Sequence, residues 1–207
     1  MRTAASGRRL VLLATTLTAC AFMACLPGPA SAQTTAFAGC AGTLAHPFLR
    51  WADPSSYFLA PGGDFETAAN GWTLGGGAGV VRGNEPFNVH LASDASSLNL
   101  PAGGSALSSS ICVGLTDPTL RLFVRGSAGA TLTIDVTYRT KLGVVTQPVA
   151  AVRGSGAWAP TLPMLFLANV TGLASLDGLT SNVQFRLTAA AGTWQVDDVY
   201  VDPWKVM

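Results

Sequence analysis

The sequence is poor in charged residues, which make up 11% of its 207 residues, whereas an average soluble domain carries about 25%. Its formal net charge is only +1, and no run of basic residues occurs beyond Arg9. Binding to nucleic acid or to anionic lipid depends on clustered positive charge. The composition therefore argues against both partners and favours the Ser-, Thr-, Asn- and Gly-rich surface that is common in secreted β-sandwiches.

Histidine is also scarce, and this limits the enzyme classes that the chain can belong to. The two histidines, His46 and His90, lie in no recognisable catalytic motif, and no serine occupies a Gly-x-Ser-x-Gly elbow. A glycosidase needs two carboxylates that face one cleft. Asp197 and Asp198 are adjacent, so a regular strand would direct them to opposite faces. We therefore predict a protein that is not an enzyme.

The N-terminal segment has the organisation of a secretory signal peptide. Arg2, Arg8 and Arg9 precede an apolar run from Leu10 to Leu26. The breaker Pro27-Gly28-Pro29 and the small-residue site Ala30-Ser31-Ala32 follow in order. These are the parts of a cleavable export signal, so we place the cut after Ala32 and expect a secreted protein.

Other interpretations of this segment stay open. The apolar run approaches the length of a membrane span, although the cleavage site behind it favours removal. Leu17-Thr18-Ala19-Cys20 resembles a lipobox, in which Cys20 would be lipidated, but the residues after it remain apolar. Arg8-Arg9 faintly resembles a twin-arginine signal. With the signal removed, no transmembrane segment is expected in the mature chain.

Only two of the four cysteines, Cys40 and Cys112, lie beyond the signal peptide. An even pair in an oxidising compartment predicts a disulfide. A metal site built on these two cysteines would lack further ligands, because the chain has so few histidines.

The patterns after the signal peptide favour β-strands almost throughout. Apolar and polar residues alternate in Leu120–Arg125, Leu132–Tyr138, Val183–Thr188 and Trp194–Val201. Further candidate strands are Gly71–Leu74, Gly79–Arg82, Ser97–Leu100, Ala106–Val113, Val144–Val152 and Met164–Leu167. Turn signals separate them, and no segment has a helical apolar period. We predict an all-β fold, a single jelly-roll sandwich of two antiparallel sheets. Its parts are a signal peptide (1–32), an irregular N-terminal leader (33–57) and the sandwich domain (58–207).

Two short motifs at opposite ends of the domain match a known family together. The first is Gly62-Gly63-Asp64-Phe65-Glu66, which continues to Gly71-Trp72. The second is Trp194-Gln195-Val196-Asp197-Asp198-Val199-Tyr200-Val201. The combination resembles carbohydrate-binding modules of families four, nine and twenty-two, within the wider galactose-binding-like jelly rolls. In such a jelly roll the first and last strands lie side by side.

The resemblance implies a structural Ca²⁺, since carboxylates that meet at a sheet edge repel one another unless a cation lies between them. It makes Glu66 and Asp197 the first candidate ligands, followed by Asp64, Glu85 and Asp198. The alternative is that these acids are solvated or paired with Arg82 or Arg186.

The resemblance also implies a sugar site built on aromatic rings. The strand that carries a tryptophan in those modules corresponds here to Leu120–Arg125, which has only Phe123. Other candidate rings are Trp158, Tyr138 and Trp51, although such a ring is more often a core or edge aromatic than a sugar platform. We therefore expect a secreted non-catalytic module that recognises polysaccharide or cell-envelope glycan. The alternative is an extracellular structural or protein-interaction domain that has no sugar ligand.

Overall fold

The computed structural model describes residues 34–37, 40–114, 118–140, 142–167 and 180–202, and no side chain before Gly42. All of them belong to the compact unit Ala32–Met207. The predicted signal peptide, its cleavage site and Cys20 lie outside these residues. In the segments that are described, no helix has the length and apolar character needed to cross a bilayer.

The described residues form strands and one short 3-10 helix, Leu49–Trp51. In chain order the strands are β1 (Thr34–Phe37), β2 (Cys40–Ala45), β3 (Tyr57–Leu59), β4 (Trp72–Gly75), β5 (Gly79–Arg82), β6 (Ser96–Leu100), β7 (Ser105–Ser108), β8 (Ile111–Gly114), β9 (Thr119–Gly126), β10 (Thr131–Thr140), β11 (Gly143–Arg153), β12 (Ala159–Pro160), β13 (Met164–Leu165), β14 (Thr180–Ala191) and β15 (Trp194–Asp202). The all-β prediction is confirmed.

Two antiparallel sheets are formed. The larger has the order β1-β2-β3-β15-β6-β5, and β9 pairs with the other side of β15 and with β12 and β13. The smaller has the order β11-β10-β14-β7-β4, with β8 also on β14. Every pairing between these strands is antiparallel.

The main core lies between the two sheets and follows the predicted period of two. Every second residue of β10 is buried, and the buried set includes Leu132, Ile134 and Val136. Leu120 and Leu122 of β9 join the same core from the larger sheet. Each such side chain contributes about 1.5–3 kcal/mol when it is fully buried. Alternation in the sequence therefore located the inner face of both sheets correctly.

The middle of β15 is where the two end motifs meet. On one edge, β15 pairs first with β6 through Trp194–Val196 and then with β3 through Tyr200 and Val201. On the other edge, the register of β15 with β9 shifts between Asp197 and Tyr200. At this level the turn after β3 is hydrogen-bonded to β15. Val199 donates to the Gly63 carbonyl at 3.0 Å, and its own carbonyl accepts from Ala60 at 2.8 Å. The N-terminal and C-terminal motifs are thus neighbours, as the first-and-last-strand argument predicts.

Two sequence predictions of local structure differ from the structure. The segment 33–57, predicted to be irregular, contains β1, β2 and the 3-10 helix. The run Ala106–Val113, predicted as one strand, is divided into β7 and β8. The division occurs at Ser108. Its side-chain hydroxyl, in place of a backbone carbonyl, accepts the hydrogen bond from the Phe185 N–H at 2.9 Å. A side chain that competes with the backbone for hydrogen bonds interrupts the ladder.

The predicted disulfide is compatible with this topology. Cys40 begins β2 and Cys112 lies on β8, and these two strands are close to each other. The pairing stays a prediction, because the side chain of Cys40 lies outside the described residues.

Candidate functional site

A second apolar cluster lies outside the sandwich core, on the outer face of the larger sheet. We call it the outer cluster: its buried members are Phe48, Tyr57, Phe123 and Tyr200, and its half-buried edge consists of Trp51, Leu59, Phe87, Val89 and Trp158. Phe48 stacks on Phe123 with centroids 5.4 Å apart and an interplanar angle of 15°. It also meets Tyr57 and Tyr200 edge-on, at 5.0 and 5.6 Å. The segment 46–56 therefore covers this face of the sheet with its own aromatic rings.

A buried ion pair fixes the segment 46–56 to the sheet. Arg121 of β9 is 4% exposed and donates Nη1–H to Asp53 Oδ2 at 2.5 Å and Nε–H to the Thr161 carbonyl at 2.9 Å. Its guanidinium lies 3.9 Å from the centroid of the Phe48 ring. Asp53 also accepts from the Tyr57 hydroxyl at 2.8 Å. The ion pair and the aromatic packing thus hold the same segment, 46–56, against the sheet.

The titration behaviour of Asp53 reflects this environment. Partial burial raises the pKa of Asp53, but hydrogen bonds from Tyr57, Ser55 and Arg121 outweigh it and lower the pKa below the usual value. Burial and the hydrogen bond to Asp53 raise the pKa of the Tyr57 hydroxyl. Asp53 is therefore ionised and Tyr57 neutral at physiological pH.

A solvent-open hollow of about 460 Å³ lies at the edge of the outer cluster. It is lined by His46, Pro47, Leu49, Arg50, Phe87, Asn88 and Val89. Phe87 packs edge-on against Trp51 at 5.2 Å. The Arg50 guanidinium lies 4.8 Å from the Trp51 ring centroid and 5.2 Å from that of Phe87. The lining of the hollow thus combines the aromatic ring of Phe87 with the polar side chains of Arg50 and Asn88.

The four aromatic residues predicted to bind sugar lie in different environments. Phe123 is completely buried and Tyr138 is 3% exposed in the sandwich core, so neither ring can stack on a ligand, and these two predictions are wrong. Trp51 and Trp158 are half-buried at the edge of the outer cluster. Trp51 contacts Phe123 at 5.3 Å and borders the hollow, whereas Trp158 lies beneath Arg125.

Sequence reasoning missed Phe87 and Arg50, which lie beside Trp51. Phe87 follows a proline in a segment without strand alternation, and Arg50 is one residue from Trp51. The proximity of Arg50 to Trp51 in the sequence was the only available signal. Phe87 reaches Trp51 from a loop that is distant from Trp51 in the sequence.

The loop that carries Phe87 is shaped by the buried carboxylate of Glu85. This side chain is 1% exposed and accepts from the backbone N–H groups of Phe87 and, at 2.7 Å, Val89. The Glu85 N–H donates to Asp197 Oδ2 at 3.1 Å. One wall of the hollow is therefore tied to the centre of β15.

Asp197 and Asp198 are both buried in the bulge of β15. Asp198 has a left-handed φ of 46°, so the regular alternation that would separate the two side chains is interrupted. Burial and then the charge of Asp198 raise the pKa of Asp197 to about 9. Burial and then the charge of Glu85 raise the pKa of Asp198 to about 7. The carboxylates of Asp197, Asp198 and Glu85 therefore repel one another in surroundings that exclude water.

Two of the predicted Ca²⁺ ligands, Glu66 and Asp197, already accept hydrogen bonds from backbone N–H groups, and the Ca²⁺ site stays a prediction. Glu66 Oε1 accepts from the Ala95 and Ser96 N–H groups at 2.8 and 2.7 Å. Both Asp197 oxygens accept from backbone N–H groups, those of Glu85 and Asp198.

The structure assembles a different set of ligand atoms. The group that can hold an ion, among the described residues, consists of His90, Asp94 and Asp198, whose ligand atoms lie within 4.8 Å of one another. Of the five predicted ligands only Asp198 belongs to it. Asp64 lies beside it, with Oδ2 3.9 Å from His90 Nδ1.

Comparisons with known proteins give matches among solved structures only: no family model and no curated protein matches the sequence. One match is to the CBM22-1 and GH10 modules of an endo-1,4-β-D-xylanase from Clostridium thermocellum complexed with xylohexaose, with TM-score 0.49 and 15% identity over 69% of this chain and 28% of that chain. Another is to the CBM22-1 xylan-binding domain from Paenibacillus barcinonensis, with TM-score 0.46 and 19% identity over 70% and 93% of the two chains. A stig cyclase from Fischerella has TM-score 0.47 and 11% identity over 70% and 97%. The chain thus spans about a quarter of the xylanase structure, and its resemblance to families four, nine and twenty-two stays a prediction.

Proposed function

We propose that the protein is a secreted, non-catalytic module that binds polysaccharide or cell-envelope glycan in the hollow beside Trp51. The observation that carries this proposal is the combination of Phe87 with Arg50 and Asn88 in one open hollow. Export rests on the signal-peptide pattern of residues 1–32.

The chemistry of the hollow suits a sugar. A pyranose ring presents an apolar face of C–H groups, which packs on an aromatic side chain, and a rim of hydroxyls, which need hydrogen-bond partners. The Phe87 ring supplies an apolar surface in the hollow, and Trp51 packs against that ring. The Arg50 guanidinium offers several N–H donors, and the Asn88 amide offers both donors and an acceptor. The described residues that line the hollow include one arginine and no acidic side chain, which favours a neutral or weakly acidic glycan.

We expect the protein to be retarded in native gels that contain a soluble polysaccharide, in a panel of xylan, mixed-linkage glucan, galactan and pectin. Arg50→Ala removes an exposed side chain, so the fold is retained, but the lost donors should weaken retardation by about tenfold in affinity, or about 1.4 kcal/mol. The matched control is Arg139→Ala, which removes an exposed arginine from β10. Equal retardation of both variants, or none of the wild-type protein by any polysaccharide, would reject the proposal.

A second candidate function, a protein-interaction domain, is favoured by a different surface. Leu165 and Leu167 flank the buried Phe166 and are 51% and 46% exposed, and Leu162 is 82% exposed. Exposed apolar side chains on one segment are typical of contact surfaces. Cross-linking of the wild-type protein to one envelope protein, lost in Leu165→Ser together with Leu167→Ser, would support this function.

A further inference from the structure

The group around His90 has properties that a set of solvated acids would not have. His90 Nδ1 and Asp94 Oδ2 are 2.8 Å apart. Asp198 contributes the third ligand atom from the bulge of β15. The side chains of His90 and Asp94 are 28% and 6% exposed, so the group is reached from solvent on the histidine side only.

A separate observation indicates a missing partner. Asp198 is 1% exposed, yet its Oδ2 atom has no hydrogen-bond partner. A buried carboxylate oxygen in this condition costs several kcal/mol unless a cation or a donor compensates it. Of the nearby charges, Glu85 and Asp94 repel the Asp198 carboxylate, and His90 attracts it. The ion pairs that Asp64 and Asp94 make, in the described part of the chain, are both with His90.

The geometry points to a transition-metal site in which His90, Asp94 and Asp198 hold a divalent cation such as Zn²⁺. The imidazole nitrogen distinguishes this site from the all-oxygen Ca²⁺ site that the family resemblance implies. Ca²⁺ takes six to eight oxygen ligands. Zn²⁺ takes four ligands from nitrogen, sulfur and oxygen, and solvent-open Zn²⁺ sites have three protein ligands and a water.

Occupation of the site replaces a hydrogen bond by two metal bonds. Both ligand atoms must be unprotonated towards the metal, so a neutral His90 carries its single ring proton on Nε2 when Nδ1 binds the ion, and a doubly protonated His90 releases its Nδ1 proton to solvent. Zn²⁺ bonds to nitrogen and oxygen are about 2.0–2.2 Å long, so tetrahedral ligand atoms lie about 3.4 Å apart. His90 Nδ1 and Asp94 Oδ2, now 2.8 Å apart, need to separate slightly, whereas atoms as much as 4.8 Å apart need to approach. The half-exposed His90 side chain can make this adjustment. The metal then supplies the positive charge that Asp198 Oδ2 lacks.

Calorimetric titration of the untagged, chelator-stripped protein tests the inference, with ZnCl₂ and CaCl₂ in parallel runs. We expect one Zn²⁺ per chain, a rise in the thermal unfolding midpoint with Zn²⁺, and no comparable response to Ca²⁺. His90→Gln should lower the Zn²⁺ affinity by at least about tenfold, since loss of a ligand costs no less than loss of a residue that orients one.

The matched control is His46→Gln, which removes the only other histidine of the chain and should leave the Zn²⁺ affinity unchanged. Asp198→Asn provides a second variant, and His90→Gln alone is decisive where this one fails to fold. The inference is overturned by the absence of Zn²⁺ binding, by Zn²⁺ binding that His90→Gln leaves intact, or by tighter binding of Ca²⁺ than of Zn²⁺. The readout is metal binding itself, so it does not depend on the proposed glycan function.

Discussion

Asp53→Ala is expected to destabilise the protein by about 3–5 kcal/mol, because it leaves Arg121 buried without its counter-charge. Arg121 is 4% exposed, and Asp53 is its ion-pair partner. The substitution also removes the acceptor of the Tyr57 hydroxyl. The free energy of unfolding from urea denaturation measures the effect directly.

The charge contribution is separated by two further variants. Asp53→Asn keeps an acceptor for the Tyr57 hydroxyl but removes the negative charge. Its loss of unfolding free energy should therefore be smaller than that of Asp53→Ala. The double variant Asp53→Ala with Arg121→Met removes both charges and should be more stable than Asp53→Ala alone. A loss below about 1 kcal/mol for Asp53→Ala would mean that the pair behaves as an exposed one and does not hold the segment 46–56.

Glu85→Ala is expected to abolish glycan retention and to lower stability by about 2 kcal/mol. The variant leaves two backbone N–H groups, those of Phe87 and Val89, without their acceptor. Each such loss costs about 1–3 kcal/mol, and relief of the repulsion between Glu85 and Asp198 offsets part of it. The wall of the hollow that carries Phe87 then loses its fixed shape. Affinity electrophoresis and urea denaturation of the same sample give the two values.

Glu66→Ala is the matched control for this prediction. Its carboxylate likewise accepts two backbone N–H groups, those of Ala95 and Ser96, but these do not line the hollow. It should lose stability while keeping glycan retention. Loss of retention in both variants would show that general destabilisation, and not the shape of the hollow, controls binding.

Strand positions and the inner face of both sheets could be predicted because alternation reports which side of a strand meets the core. The same signal could not reveal the outer cluster. In β9, Arg121 and Phe123 occupy the positions that face away from Leu120 and Leu122, where alternation predicts solvent. They are buried because Phe48 and Asp53, more than sixty residues away in the chain, cover that face. The alternation of apolar and polar residues within one strand does not show whether a distant segment covers its outer face.

The sequence predicted that the two end motifs are neighbours, but not which groups their carboxylates contact. Motif matching brought the Phe65-Glu66 and Asp197-Asp198 segments together, and the hydrogen bonds of Val199 with Ala60 and Gly63 show that they are neighbours. It did not predict that backbone N–H groups would occupy the carboxylates of Glu66 and Asp197. The sequence did not reveal the role of His90, because this histidine lies in a loop and no local pattern predicts the path of a loop.

The central claim, that the hollow beside Trp51 receives the glycan, is tested most directly by the indole N–H resonances of the five tryptophans. Trp72 and Trp194 are buried and donate to the carbonyls of Pro61 and Ala191, so they serve as internal references. Titration with an oligosaccharide of the polysaccharide that retards the protein should shift the Trp51 resonance and leave those of Trp72, Trp194 and Trp158 in place. A shift of Trp158 without Trp51, or no shift at saturating oligosaccharide, would contradict the account.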